Sequence, residues 1–183
     1  MHWNLFTVLE SDLSNVSRFI EFDERNFKAF STELSKLLLS IGSEVDVVFK
    51  QLCKVVDEEA RRKNIVDYYA VLSENDGIKS ILAETVSIPR FGLEFNPFEE
   101  WDADTRPKWW KSYNKVKHDR QENYHEASLE NVLRALSALM LCIFYLNKLL
   151  NPEATNKEVT SKLQPNSQLL RLKEEYYYST VVV

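Results

Sequence analysis

The sequence predicts an all-α (mainly α) fold, an up-down helical bundle with one long N-terminal helix and a small β hairpin near residues 85–98. Three observations carry this. The 183-residue chain has only three glycines and five prolines, and no proline precedes Pro89, so the strongest helix breakers are missing from its first half. Apolar residues recur at spacings of three and four over long stretches, the period of an amphipathic helix. A period of two, mixed with Pro89, Gly92 and Pro97, marks the segment near 85–98. With 44% hydrophobic and 28% charged residues, the composition fits one domain over residues 1–183: a bundle core at 24–150, the flap at 85–98 and a C-terminal extension at 152–183.

Taken in order, "ESDLSNVSRFIEF" predicts a short helix capped by Ser11 or Ser14. Phe30, Leu34, Leu37, Ile41, Val45, Val48, Leu52 and Val55 then predict a long helix over residues 24–62. Gly42 in its middle disfavours the helix by about 1 kcal/mol relative to Ala, which predicts a bend or a close helix crossing there. "NIVDYYAVLSEN" predicts a further helix ended by the Asn75-Asp76-Gly77 turn. The flap follows, with Val86, Ile88, Phe91, Leu93 and Phe95 alternating. Pro107 suits the first turn of a helix running to residue 125. "SLENVLRALSALMLCIFYLNKLL" predicts the last strong helix, ended at Asn151-Pro152. The tail from Pro152 is polar until "SQLLRLKEEYYYSTVVV", whose tyrosines and valines predict a strand able to pair with the flap.

Composition also excludes function classes. A net charge of −5 argues against a protein that coats nucleic acid by bulk electrostatics, leaving room for a local basic pocket. Cys53 and Cys142 sit in apolar helical patterns, which predicts buried free thiols and suits a reducing cytoplasm. No basic and apolar leader opens the sequence, and the apolar run around "ALSALMLCIFYLNK" is short for a bilayer, so a cytoplasmic protein without a membrane segment is expected. No cluster of carboxylates has metal-ligand spacing, and neither a metal nor another cofactor is expected.

The chemistry gathers in "KWWKSYNKVKHDRQENYHEASLENVL". On one continuous helix, about 100° per residue places Trp110, Asn114, His118, Gln121 and His125 on one stripe, and Tyr113, Lys117, Arg120 and Tyr124 on a neighbouring one. Trp109 and Trp110 diverge by the same angle, so one of them is expected to line a groove. Glu44 falls in the apolar row Leu37, Ile41, Val48 of the long helix and needs a partner; Lys117, His118 or Arg120 is expected, with Asp46 and Asp67 as second-choice carboxylates. A histidine oriented by a carboxylate and close to a cation can remove a proton while the cation stabilises phosphate charge. The same residues also suit purely structural roles, with the histidines as hydrogen-bonding groups, the tryptophans as core anchors and Glu44 in an ion pair.

"WWKSYNKVKHDR" followed by "ASLENVLRALSAL", and preceded by "FSTELSKLLLSIGSEVDVVFKQLC" and "NPFEEW", resembles a group of bacterial proteins related to the HEPN superfamily. The resemblance covers roughly residues 27–150, and its most specific part is Tyr113-Asn114-x-x-Lys117-His118-x-Arg120. It implies a small helical bundle of toxin, phage-defence or RNA-processing systems. Many active members carry an Arg, four to six residues, then His, and act as metal-independent endoribonucleases on dimerisation. Two registers fit: Asn114 and His118 with Tyr113 in the arginine position, favoured by its surroundings, or Arg120 and His125 with Gln121 beside the arginine.

The resemblance thus implies His118 or His125 assisting attack of a ribose 2′-hydroxyl, Lys117 or Arg120 stabilising charge, and Asn114 orienting the phosphate. Trp109, Trp110, Tyr113 and Gln121 would contact substrate, with Glu44 in support. The partners implied are a second copy of the chain, RNA or a nucleotide, and an antitoxin or defence protein. The alternative is a catalytically inactive bundle serving as a dimerisation or protein-interaction module.

Overall fold

The computed structural model describes residues 1–178 and is mainly helical, with one small antiparallel hairpin. Helix α1 spans His2–Val16, because Trp3, Phe6, Leu9, Leu13 and Val16 recur on one buried face. It begins well before the Ser11 or Ser14 cap expected from sequence; Ser14 and Ser17 instead close its last turn, Ser17 Oγ donating to the Ser14 carbonyl at 2.7 Å.

Helix α2 spans Thr32–Val56, shorter at both ends than the expected 24–62. Ser31 caps it, its Oγ accepting from the Leu34 N–H. The carbonyls of Phe27 and Ala29 accept from Glu130 and Leu129, and Phe30 bridges Ser128, so this stretch is tied to another segment and does not continue the helix upstream. At the other end Asp57 is extended. Helix α3, Ile65–Glu74, starts at Asn64, whose side chain caps Val66 and Asp67, and stops before the Asn75 turn as expected.

Strands β1 (Val86–Ile88) and β2 (Leu93–Phe95) form the hairpin, with Val86 opposite Phe95. Gly92 closes the turn in the left-handed region at φ 64°, where a side chain would be strained. The tail reaches this hairpin through one bridge: Ser87 and Arg171 exchange backbone hydrogen bonds at 2.9 Å. A longer strand is not formed over residues 167–178, and residues 179–183 of the expected strand lie outside the described residues. The tail also holds helix α7, Asn156–Lys162, which its polarity did not suggest.

The predicted helix over 108–125 is broken. Helix α4, Lys108–His118, ends at Asp119, whose extended φ of −146° interrupts the hydrogen-bond ladder. Asp119 then caps the one-turn α5, Arg120–Asn123, through the Glu122 N–H, and a 3₁₀ turn, Tyr124–Glu126, follows. Helix α6, Leu129–Leu150, is the central element, capped by Ser128 and ended at Asn151 as the sequence predicts. Helix α6 is long and apolar enough to cross a membrane, longer than the apolar run suggested, and in the fold 89% of its most apolar window is buried, as in the core helix of a bundle. It packs most extensively on α2, and also on α1, α4 and α7 (Asn156–Lys162). Thr155 and Glu158 form a capping box at the start of α7.

Of the bend or close crossing expected at Gly42, the structure has the close crossing. A Cβ built there would lie 2.6 Å from Cγ and 2.8 Å from Cε2 of Tyr113 on α4, so only the absence of a side chain lets α2 meet that ring. Phe49 continues the contact, with Tyr68, Phe98, Trp101 and Trp110 around it.

Candidate functional site

The break at Asp119 divides the chemistry-bearing segment into a buried half and an exposed half. Trp109 is fully buried and its Nε1 donates to the Pro97 carbonyl at 2.7 Å. Trp110 is buried too, packed on Phe49 and tilted against Tyr113. Both tryptophans therefore face the core, contrary to the expectation that one lines a groove. The reason is that α4 is covered on two flanks, by α2 and by the loop carrying Pro97, Phe98 and Trp101, so a 100° divergence exposes neither ring. Tyr113 is buried over Gly42. The three aromatic residues expected to contact substrate are packed inside.

Asn114 is half-buried, its Nδ2 donating to the Trp110 carbonyl one turn back at 3.0 Å. Lys117, His118, Arg120, Gln121 and His125 are exposed on the knuckle formed by the end of α4, α5 and the following turn. Lys117 Nζ stands 5.4 Å from the centroid of the Tyr113 ring. Among the described residues none of these five side chains has a hydrogen bond or an ion pair within the fold. Beside them, the half-buried Tyr124 donates to or accepts from Thr32 Oγ1 at 2.8 Å and meets the half-exposed Phe30 edge-on. The continuous stripe of Trp110, Asn114, His118, Gln121 and His125 does not exist, because its members straddle the break.

Glu44 does not reach this knuckle. His2 Nδ1 donates to it at 2.5 Å, and His2 Nε2 lies 3.1 Å from Gln51 Oε1. Geometry explains the correction: Glu44 lies two positions after Gly42, a turn of about 200°, so the face that meets α4 at Gly42 carries Glu44 away from it. Asp46 accepts from Tyr68 and Lys50, and Asp67 from the Lys63 N–H and Arg61, so neither second-choice carboxylate faces the knuckle cations.

Five lysines and arginines and two acidic residues lie within 108–125. Two of the cations anchor α4: Lys108 pairs with Glu130 at 2.9 Å and Lys115 with Glu126 at 2.5 Å. Glu126 also accepts from the buried Ser112 at 2.6 Å. The hydrogen bond from Lys115, and then that from Ser112, hold the Glu126 carboxyl below its ordinary value of 4.5. A carboxylate depressed in the folded state stabilises it above the unfolded value, and that contribution disappears as pH falls through the folded value. Wild-type stability, measured by urea titration, should therefore drop more steeply between about pH 5 and pH 3 than that of Glu126→Gln. Equal slopes would mean that this pair does not help hold α4.

The sequence reading missed a buried polar cluster at the other end of α6. Tyr176 donates to Glu84 Oε1 at 2.7 Å, Tyr145 joins both, Ser80 bonds Tyr145 at 2.8 Å, and Lys173 pairs with Glu84 at 3.0 Å. Burial raises both phenols above their ordinary value, so the cluster binds through neutral tyrosines and fastens the tail to α6. Tyr145, a polar group inside the apolar run of α6, was the available signal. Cys53 and Cys142 are free and buried as expected; burial pushes the Cys53 thiol up to about 12 and Cys142 well above its usual value. Among the described residues no group of three or more His, Cys, Asp or Glu side chains could hold a metal ion. No protein-family model, curated protein or solved structure matches this chain.

Proposed function

We propose that the chain is an RNA- or nucleotide-binding, HEPN-like up-down bundle of the cytoplasm whose contact surface is the knuckle of Lys117, His118, Arg120, Gln121 and His125. The observation that carries this reading is that two cations, two imidazoles and an amide stand exposed and unpaired together on a chain of net charge −5. Unpaired Lys and Arg donors on one convex surface suit phosphate oxygens, and each one neutralised on binding releases counterions. Asn114 lies at the edge of the surface and steadies the last turns of α4. Base stacking falls to Phe30 and Tyr124, since Trp109, Trp110 and Tyr113 are in the core.

Turnover requires a base and a stabilising cation converging on one phosphate. In a homodimer that sets two knuckles face to face, His118 or His125 of one copy meets Arg120 or Lys117 of the other, giving a metal-independent endoribonuclease. The second reading is an inactive bundle serving as a dimerisation or protein-interaction module for an antitoxin or defence partner. It is favoured by the burial of the three aromatic rings and by the absence of a carboxylate orienting either knuckle histidine among the described residues.

Anisotropy of a labelled single-stranded RNA across a salt series separates these readings. Wild type is expected to bind, and the Lys117→Glu/Arg120→Glu double variant to lose at least about tenfold in affinity, with a salt slope shallower by about 1.4 for two lost phosphate contacts. Metal-free incubation of an RNA pool with wild type, His118→Ala and His125→Ala reports turnover and chooses the register. Wild-type protein that binds no RNA at low salt would remove the RNA reading and leave the interaction module.

A further inference from the structure

A cleft of about 370 Å³ opens on the molecule among the start of α1, the hairpin turn, α7 and the tail, and it shares no lining residue with the knuckle. Apolar and aromatic side chains, among them Trp3, Met140, Leu163 and Tyr177, line it together with at least as much polar surface. Fourteen residues line it, among them Arg90 and Arg171, and none is Asp or Glu. Both arginines are exposed to solvent. Neither arginine has a carboxylate within ion-pair distance among the described residues.

Arg90 makes no side-chain hydrogen bond there, and Arg171 makes one long contact, 3.5 Å to the Tyr178 hydroxyl. Each guanidinium instead lies over a ring, Arg90 at 5.0 Å from the Phe91 centroid and Arg171 at 5.2 Å from that of Tyr177. Stacking settles the plane of a guanidinium and leaves its edge donors free for a planar or tetrahedral anion.

The walls are pinned. Glu10, only 3% exposed, accepts from Ser167 Oγ and from the N–H groups of Gln168, Leu169 and Leu170, at 3.0–3.2 Å for the three backbone donors. The oxygens of that carboxylate are satisfied by these neutral donors, and it does not line the cleft. Trp3 Nε1 donates to the Pro165 carbonyl at 2.9 Å, Thr160 Oγ1 to the Tyr176 carbonyl at 2.8 Å, and the Ser87 bridge holds the backbone of Arg171. A concave space of this volume with pinned walls, where apolar side chains and polar groups meet, suits a small molecule.

We infer that this cleft binds a small molecule with an apolar or aromatic body and an anionic head, a carboxylate or a phosphate monoester, the head held by Arg90 and Arg171. The cleft shares no residue with the knuckle, so its ligand binds whether or not the knuckle binds RNA. It gives a role to two cations that the knuckle does not use.

Isothermal titration of the full chain with 1-naphthyl phosphate, 1-naphthoate and neutral 1-naphthol tests it. One anion is expected to bind saturably at one site per chain, with naphthol at least about tenfold weaker. Arg90→Gln and Arg171→Gln should each weaken the anion about tenfold and leave naphthol unchanged. The tighter anion identifies the head group. Lys117→Glu/Arg120→Glu should bind both anions as wild type does, which separates this site from the knuckle. Arg90 is exposed and, among the described residues, makes no side-chain hydrogen bond or ion pair, so its variant keeps the fold and decides alone if Arg171→Gln melts early. Failure of both anions to saturate, or full anion affinity in folded Arg90→Gln, overturns the site.

Discussion

Gly42→Ala is expected to destabilise the bundle by about 1–3 kcal/mol, and Gly42→Val by more, although both remove a glycine from the middle of a helix. On propensity alone the alanine would stabilise by about 1 kcal/mol. The opposite sign follows from Tyr113, whose Cγ would stand 2.6 Å from the new Cβ, far inside contact distance. The ring has little space to retreat, being 3% exposed and tilted against Trp110 with centroids 5.4 Å apart. Valine adds two more methyl groups to the same crowded spot. Urea denaturation of both variants checks the order. A double-mutant cycle sharpens it: on a Tyr113→Ala background, itself weakened, Gly42→Ala should become neutral or stabilising. Stabilisation of the wild-type background by Gly42→Ala would mean that α2 and α4 do not meet there.

Trp109→Ala should cost about 3–5 kcal/mol, the range for truncating a large buried ring. Trp109 is completely buried, and its loss also leaves the Pro97 carbonyl without its donor. Lys117→Ala and His118→Ala, on the exposed knuckle, should each stay within about 0.5 kcal/mol of wild type. The contrast matters for function. Any activity lost in a Trp109 variant is to be read against its folded fraction, whereas a loss in a Lys117 or His118 variant at unchanged stability belongs to the surface itself. Thermal and urea unfolding followed by circular dichroism give both comparisons. A Trp109→Ala protein as stable as wild type would return the indole to the list of surface contacts.

Several elements were legible because local physics decides them. The 3–4 apolar spacing located α2 and α6, and Asn64 and the Asn75 turn bounded α3. The alternation around Gly92 located the hairpin. The capping box of α7 was present in Thr155-Asn156-Lys157-Glu158 and could have been read there. Periodicity was less informative at the ends, since the start of α2 depends on Phe27 and Ala29 accepting hydrogen bonds from residues a hundred positions away.

The candidate site was less legible than the fold. A shared stripe requires one unbroken helix over residues 108–125, and Asp119 ends that helix by capping the next turn. Likewise Glu44 was correctly singled out as a carboxylate needing a partner, and the partner was His2. Nothing local connects positions 2 and 44.

For this protein the order of residues by itself determined the helical class, the apolar helical setting of both cysteines, a glycine in the middle of a long helix and the gathering of cations near residues 108–125, because spacing, propensity and charge are properties of neighbours along the chain. The tertiary structure alone decided which ring is core and which cation is free, that Glu44 turns toward α1, and that Arg90 and Arg171 share a cleft. Those outcomes depend on which surfaces cover one another, and burial and pairing are settled between segments distant in sequence.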